Sequence, residues 1–143
     1  MTFFPDIDVE KTKNNAKRKL REYSRWRRIA ADIGEQKLTA SYSFEPKQAL
    51  SKPSQPVEHL ALNKVSAEQE LEAIRWAVSG LFDSLHRRIL VEKYLLPEPK
   101  QDLAIYSDLA ISETLYYEEN EKALLAFAEL FRHGILLVEK VEN

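Results

Sequence analysis

The sequence contains no cysteine and only three glycines in 143 residues. Without thiols there is neither a disulfide framework nor a thiolate metal site, a composition that suits a reducing cytoplasm. Scarce glycine, with 44% hydrophobic and 31% charged residues, suits a mostly helical chain, and no β-rich pattern competes. No apolar run approaches the ~18 residues of a membrane helix. The start, MTFFPDIDVE, lacks a basic segment followed by an apolar one, so neither membrane insertion nor export is expected. Glycine-rich phosphate loops of the GxGxxG or GxxxxGK kind are missing. His59, His86 and His133 are scattered without HExxH spacing, so no metal site and no cofactor are expected. Together these absences argue against an enzyme.

What is present is charge, unevenly spread. The net charge is −2, but residues 1–52 carry +5 and residues 53–143 carry −7. Between Lys11 and Arg28 nine basic residues face a single acid, Glu22. That is more cation than solubility requires, and it points to a polyanion or an acidic partner.

The apolar spacing gives an all-α chain. Val9, Ala16, Leu20, Tyr23, Ile29 or Ala30, and Ile33 recur near the 3.6-residue period, which predicts an amphipathic helix from about Asp8 to Ile33. Asp6 or Asp8 serves as its cap, and Gly34 ends it in the left-handed conformation. Lys17, Arg18, Arg21, Arg25 and Arg28 spread over its remaining surface, while Tyr23 and Trp26 read as core before base stacking. From Glu35 to Lys64 the pattern dissolves, and Pro46, Pro53 and Pro56 exclude a continuous helix. This stretch reads as a linker, with LTASYSF at Leu38–Phe44 alternating like a short strand.

At Ser66 a capping box opens a second helical region with Leu71, Ile74, Val78 and Leu81 or Phe82 on one face. Gly80 bends or ends it; Asp83 or Ser84 starts another, with Leu85, Ile89, Leu90 and Tyr94 buried, and Pro97 and Pro99 stop that one. A short helix from Gln101 to Leu109 follows, then a turn at Ala110 and Ile111. Ser112 caps a long last helix that runs to about Arg132 and closes at Gly134. The tail from Ile135 either folds back on the core or meets a second subunit in a homodimer. The chain thus divides into a basic N-terminal helix (1–34), a linker (35–65) and a helical unit (66–143).

Two helices joined by so short a turn cross steeply and project the second one's N-terminal half outward. In a helix-turn-helix that half enters the major groove of DNA. The base-facing residues are then Glu113, Thr114 and Tyr117, behind the cap at Ser112, with Tyr116 buried by its phase with Ala123 and Phe127. Glu113 complements the helix dipole and can accept from cytosine N4. Glu118, Glu119 and Glu121 sit further back. Affinity then rests on phosphate contacts by Arg87, Arg88, Lys100 and the set Lys17, Arg18, Arg21, Arg25 and Arg28. For Arg87 and Arg88, pairing with Glu92 or Asp83 is an equal alternative.

RRIL at Arg87–Leu90, LAIS at Leu109–Ser112, and KAL at Lys122–Leu124 with Phe127 in phase resemble region four of sigma-70-type factors. The whole chain, with its basic N-terminal helix, Pro-rich middle, IYSDLAIS, the pair Tyr116 and Tyr117, and KALLAFAELF, resembles the ArpU family of phage and prophage transcriptional regulators. The resemblance implies a cytoplasmic protein of a bacterial host cell that binds double-stranded DNA and activates late phage genes. The chain departs from that pattern at Glu119, where an apolar residue is usual, and in an unusually acidic reading helix. That acidity favours a rival reading, an adaptor that binds RNA polymerase with little DNA contact. A third reading is a DNA-packaging subunit of the small-terminase kind.

Overall fold

A computed structural model describes the backbone of residues 6–41 and 55–141, and the side chains of 6–31 and 65–141. The described chain is all-α. Its helices are α1 (Val9–Ser41), α2 (Gln55–Ser79), α3 (Ser84–Leu90), α4 (Asp102–Leu109) and α5 (Glu113–Leu130). A π-turn over Val91–Leu95 prolongs α3, and a 3₁₀ turn over Phe131–Gly134 follows α5.

The helix starts in the C-terminal half follow the sequence closely. Asp83 Oδ1 accepts from Leu85 N–H at 2.8 Å, and Ser112 Oγ accepts from Leu115 N–H at 3.1 Å. Asp8 Oδ1 likewise caps α1 through Lys11 N–H at 3.1 Å.

Other boundaries move. Gly34 does not end α1, because one glycine inside a helix costs about 1 kcal/mol without breaking the backbone ladder. Leu38–Ser41 are therefore helical rather than a strand, and the rest of that expected strand lies outside the described residues. Ser66 is no cap either: α2 begins at Gln55, with Pro56 in the first turn, where its missing N–H costs nothing. Within the expected linker, 35–41 and 55–65 are helical. Pro46 and Pro53 lie outside the described residues.

The main core joins α1 to the C-terminal half. Ala16, Leu20 and Tyr23 of α1 meet Leu71, Ile74 and Val78 of α2, Leu90 and Tyr94 around the π-turn, and Leu124, Phe127 and Phe131. Each fully buried side chain of leucine size contributes about 1.5–3 kcal/mol, so the basic helix is held firmly against α2 and α5. Tyr23 is buried, and its hydroxyl accepts from Arg75 Nε at 2.8 Å. Half-buried Trp26 packs at the core edge and donates to Glu22 at 3.0 Å. A smaller cluster of Ile89, Ile105 and Tyr116, flanked by Leu85 and Leu109, fastens α4 between α3 and α5.

The tail folds back on its own molecule. Positive φ at Arg132 (44°), His133 (59°) and Gly134 (81°) reverses the chain, and Leu136 and Leu137 pack on the core. Val138 O accepts from Asp8 N–H at 2.7 Å, Lys140 N–H donates to Asp6 O at 2.9 Å, and Val138 N–H donates to the buried Thr12 Oγ1 at 2.9 Å.

Candidate nucleic-acid interface

Three residues, Ala110–Ser112, separate α4 from α5. Ala110 takes the left-handed conformation (φ 57°, ψ 41°), its N–H directed at the carbonyls of Ser107 and Tyr106, while Ile111 N–H donates to Tyr106 O at 3.1 Å. This is the reversal that usually recruits glycine. The chain makes it with alanine.

Beyond the Ser112 cap, phase divides the helix. Tyr116 is fully buried and lies edge-on to Tyr117, while Glu113, Thr114, Leu115, Tyr117 and Glu118 are exposed. All three expected base-facing residues thus stand in solvent on the leading edge of α5. The Tyr116 hydroxyl donates to Asp102 at 2.5 Å, and that of Tyr117 reaches the same carboxylate at 3.4 Å. Burial first, then the hydrogen bond to Asp102 and its charge, holds the Tyr116 phenol well above its ordinary range.

α1 passes beside this edge. Lys13, Lys17, Thr114, Tyr117, Glu118 and Glu121 line one groove, and Arg21, Lys93, Tyr94, Lys100, Asp102 and Leu103 line a second. Lys17 and Arg21 are one helical turn apart, so the two grooves join Lys17, Arg21, Lys93 and Lys100 into a cationic strip. Burial first, then the nearby charges of Lys13, Lys93 and Arg21, lower the pKa of Lys17. Arg18, Arg25 and Arg28 are exposed on the same helix.

Arg87 and Arg88 lie elsewhere, in a depression with Arg75 and Ser84. The Arg87 guanidinium donates to the carbonyls of Leu81 and Phe82, and Arg88 Nε donates to Glu92 at 3.2 Å. Lys100 does reach the strip, although its ammonium also pairs with Glu92 at 2.7 Å and Asp108 at 3.4 Å. Those hydrogen bonds, Glu92's foremost, raise its pKa. Periodicity alone missed Lys93, because the π-turn that aims it leaves no trace in an apolar spacing.

The acids of α5 are partly engaged. His86 Nε2 meets Glu119 Oε2 at 2.6 Å, and this hydrogen bond, ahead of Lys122, holds the Glu119 carboxyl below its ordinary range. Glu121 lies 3.5 Å from Lys13. Asp83, His86 and Glu119 offer ligand-type atoms within 4.8 Å of one another. Asp83 is already a helix cap and His86 already meets Glu119, so the group stands as a hydrogen-bonded clamp between α3 and α5. Among the described residues no helix is long and apolar enough to cross a membrane.

No family model and no solved structure matches the chain. It is 46% identical over 136 residues to a Streptococcus phage O1205 protein that carries an autolysin-regulatory name, ArpU; the alignment covers 95% of this chain and 98% of that one. A protein of the same name from Enterococcus hirae is 26% identical over 144 residues, covering 98% of this chain and all of that one.

Proposed function

The chain belongs to the ArpU family, and from that premise we propose that it is a phage-type transcriptional regulator that reads promoter DNA with the α4–turn–α5 unit, used as a sigma-region-four-like helix-turn-helix. The observation that carries this reading is the exposed leading edge of α5 beside the strip of Lys17, Arg21, Lys93 and Lys100. α5 enters the major groove from its capped end. Glu113, Thr114 and Tyr117 face base edges, with Glu113 suited to cytosine N4. Lys17 and Arg21 are the principal phosphate donors, Lys100 adds to them, and Arg18, Arg25 and Arg28 extend the contact along α1. Arg87 and Arg88 reach phosphate only by giving up their present partners. The protein acts without catalysis in the host cytoplasm, activating late phage genes, among which autolysin control, the role in its relatives' name, has a place.

The test is selection of bound fragments from a phage genome followed by a salt titration of the winner. Each phosphate neutralised contributes about 0.9 to the slope of log affinity against log salt. Replacing Lys17 and Arg21 together by glutamine is expected to lower the slope by about 2. An unchanged slope removes Lys17 and Arg21 from the interface. The exposed Glu113 and Glu118 favour a second reading, an adaptor for RNA polymerase. Co-purification with polymerase from nuclease-treated extract, with no fragment bound, selects it.

A further inference from the structure

Of the acids beside the cationic strip, Asp102 is the one bonded both to Lys93 and to the two tyrosines of α5. Asp102, the first residue of α4, divides its carboxylate among three partners: Oδ1 accepts from Tyr116 at 2.5 Å and from Lys93 at 2.9 Å, and Oδ2 meets the Tyr117 hydroxyl at 3.4 Å. It is partly exposed and shares its groove with Arg21 and Lys100.

The charge suits the first turn of α4, but the bond to Tyr116 does not require it. The buried Tyr116 hydroxyl needs an acceptor, and an amide oxygen satisfies it as well as a carboxylate does. At this surface the negative charge has a further consequence. Beside phosphates it repels the polyanion, and it occupies a cation that would otherwise release a counterion. If Lys93 stays on Asp102 it adds nothing to affinity; if it leaves, a bare carboxylate faces the backbone. Either way, binding that depends on charge alone is weakened. Desolvation opposes the ionised form, but the hydrogen bonds from Tyr116 and Lys93 outweigh it and lower the Asp102 pKa, so the charge is present at neutral pH.

Resting on the DNA-binding reading above, we propose that Asp102 restrains non-specific DNA binding, withholding Lys93 from phosphate while it positions Tyr117 for the cognate site. Discrimination is a difference of affinities, and an element that penalises the wrong partner raises it. Loss of the charge relieves repulsion on every duplex, whereas loss of the hold on Tyr117 matters only where that residue meets its base.

The experiment measures binding of the full chain to the selected fragment and to an unrelated duplex across a salt series. Asp102→Asn is expected to tighten binding to the unrelated duplex by about threefold at low salt, to steepen its slope by about 0.9, and to narrow the preference for the selected fragment. Tyr116→Phe removes the structural hydrogen bond but not the charge and is expected to leave the slope alone. Lys93→Gln, which leaves the Tyr116 bond intact, is expected to leave the slope on unrelated DNA unchanged, because Lys93 is already withheld. A slope lowered by about 0.9 in Lys93→Gln, or Asp102→Asn behaving like Tyr116→Phe, overturns the restraint. Wild-type protein that binds no duplex defeats the functional reading itself; binding that depends on Lys17 and Arg21 but ignores Asp102→Asn defeats the restraint alone.

Discussion

Glu119 is the residue whose chemistry the sequence made most awkward, an acid where a reading helix usually turns an apolar side chain inward. Its carboxylate meets His86 across the α3–α5 gap at 2.6 Å, so the position still bonds two helices, by a hydrogen bond in place of packing. The hydrogen bond from His86 lowers its pKa in the folded state from 4.5. A depressed carboxyl contributes stability that is complete above the unfolded value and is lost as pH falls through the folded one. Glu119→Gln is therefore expected to be less stable than wild type at pH 7, with the gap closing in acid, as pH falls through the lowered carboxyl range. Urea midpoints of both proteins at neutral and acid pH check this, and a gap that persists in acid assigns the loss to shape. Sequence spacing placed Glu119 on α5 behind the base-facing turn. The partner thirty-three residues away was not legible, because no local rule pairs residues on different helices.

At the scale of the element, the start of α5 carries the greatest weight. Ser112 supplies the cap, and its replacement by alanine leaves orphan N–H groups in the first turn, at a cost of about 1 kcal/mol. Thermal melting is expected to show that loss, together with weaker binding to the selected fragment than to unrelated DNA. Equal weakening on both would mean that the cap holds the fold without shaping the reading edge. This end of the chain was legible because its punctuation is local: Asp83, Pro97, Pro99 and Ser112 each act through their own backbone. The boundaries of α1 and α2 were not, since Gly34 and Ser66 carry stop and start signals that a continuous backbone ladder overrode. Arg87 and Arg88 illustrate the same limit at the site, for both pairing and phosphate contact suit the spacing, and only packing brings in the Leu81 and Phe82 carbonyls.

For the whole molecule, α1 is both a wall of the core and the bearer of the cations. Sequence charge revealed the second role, and the apolar stripe of Ala16, Leu20 and Tyr23 hinted at the first without naming what it packs against. The tail locks this arrangement. Removing Ile135–Asn143 uncovers the core beneath Leu136 and Leu137 and strips Thr12 and Asp8 of their partners. Adding two part-buried leucines to four hydrogen bonds, the fourth from Asn15 Nδ2 to Leu136 O, puts the expected loss on the order of 3 kcal/mol or more. A melting temperature unaffected by the truncation would show that α1 is secured by α2 and α5 alone.

The π-turn at Val91–Leu95 has a bearing on how this surface can change. Leu96 N–H reaches back five residues to Val91 O, so the loop of backbone there holds one residue more than the ordinary pitch accommodates. Loss of a single codon in that stretch would let the regular pitch return, leaving the flanking turns in phase and re-aiming the residues within the bulge, Lys93 among them. Lys93 would then leave Asp102 with no amino acid exchanged. The balance between grip and discrimination is accordingly open to adjustment by indels as well as by point substitution.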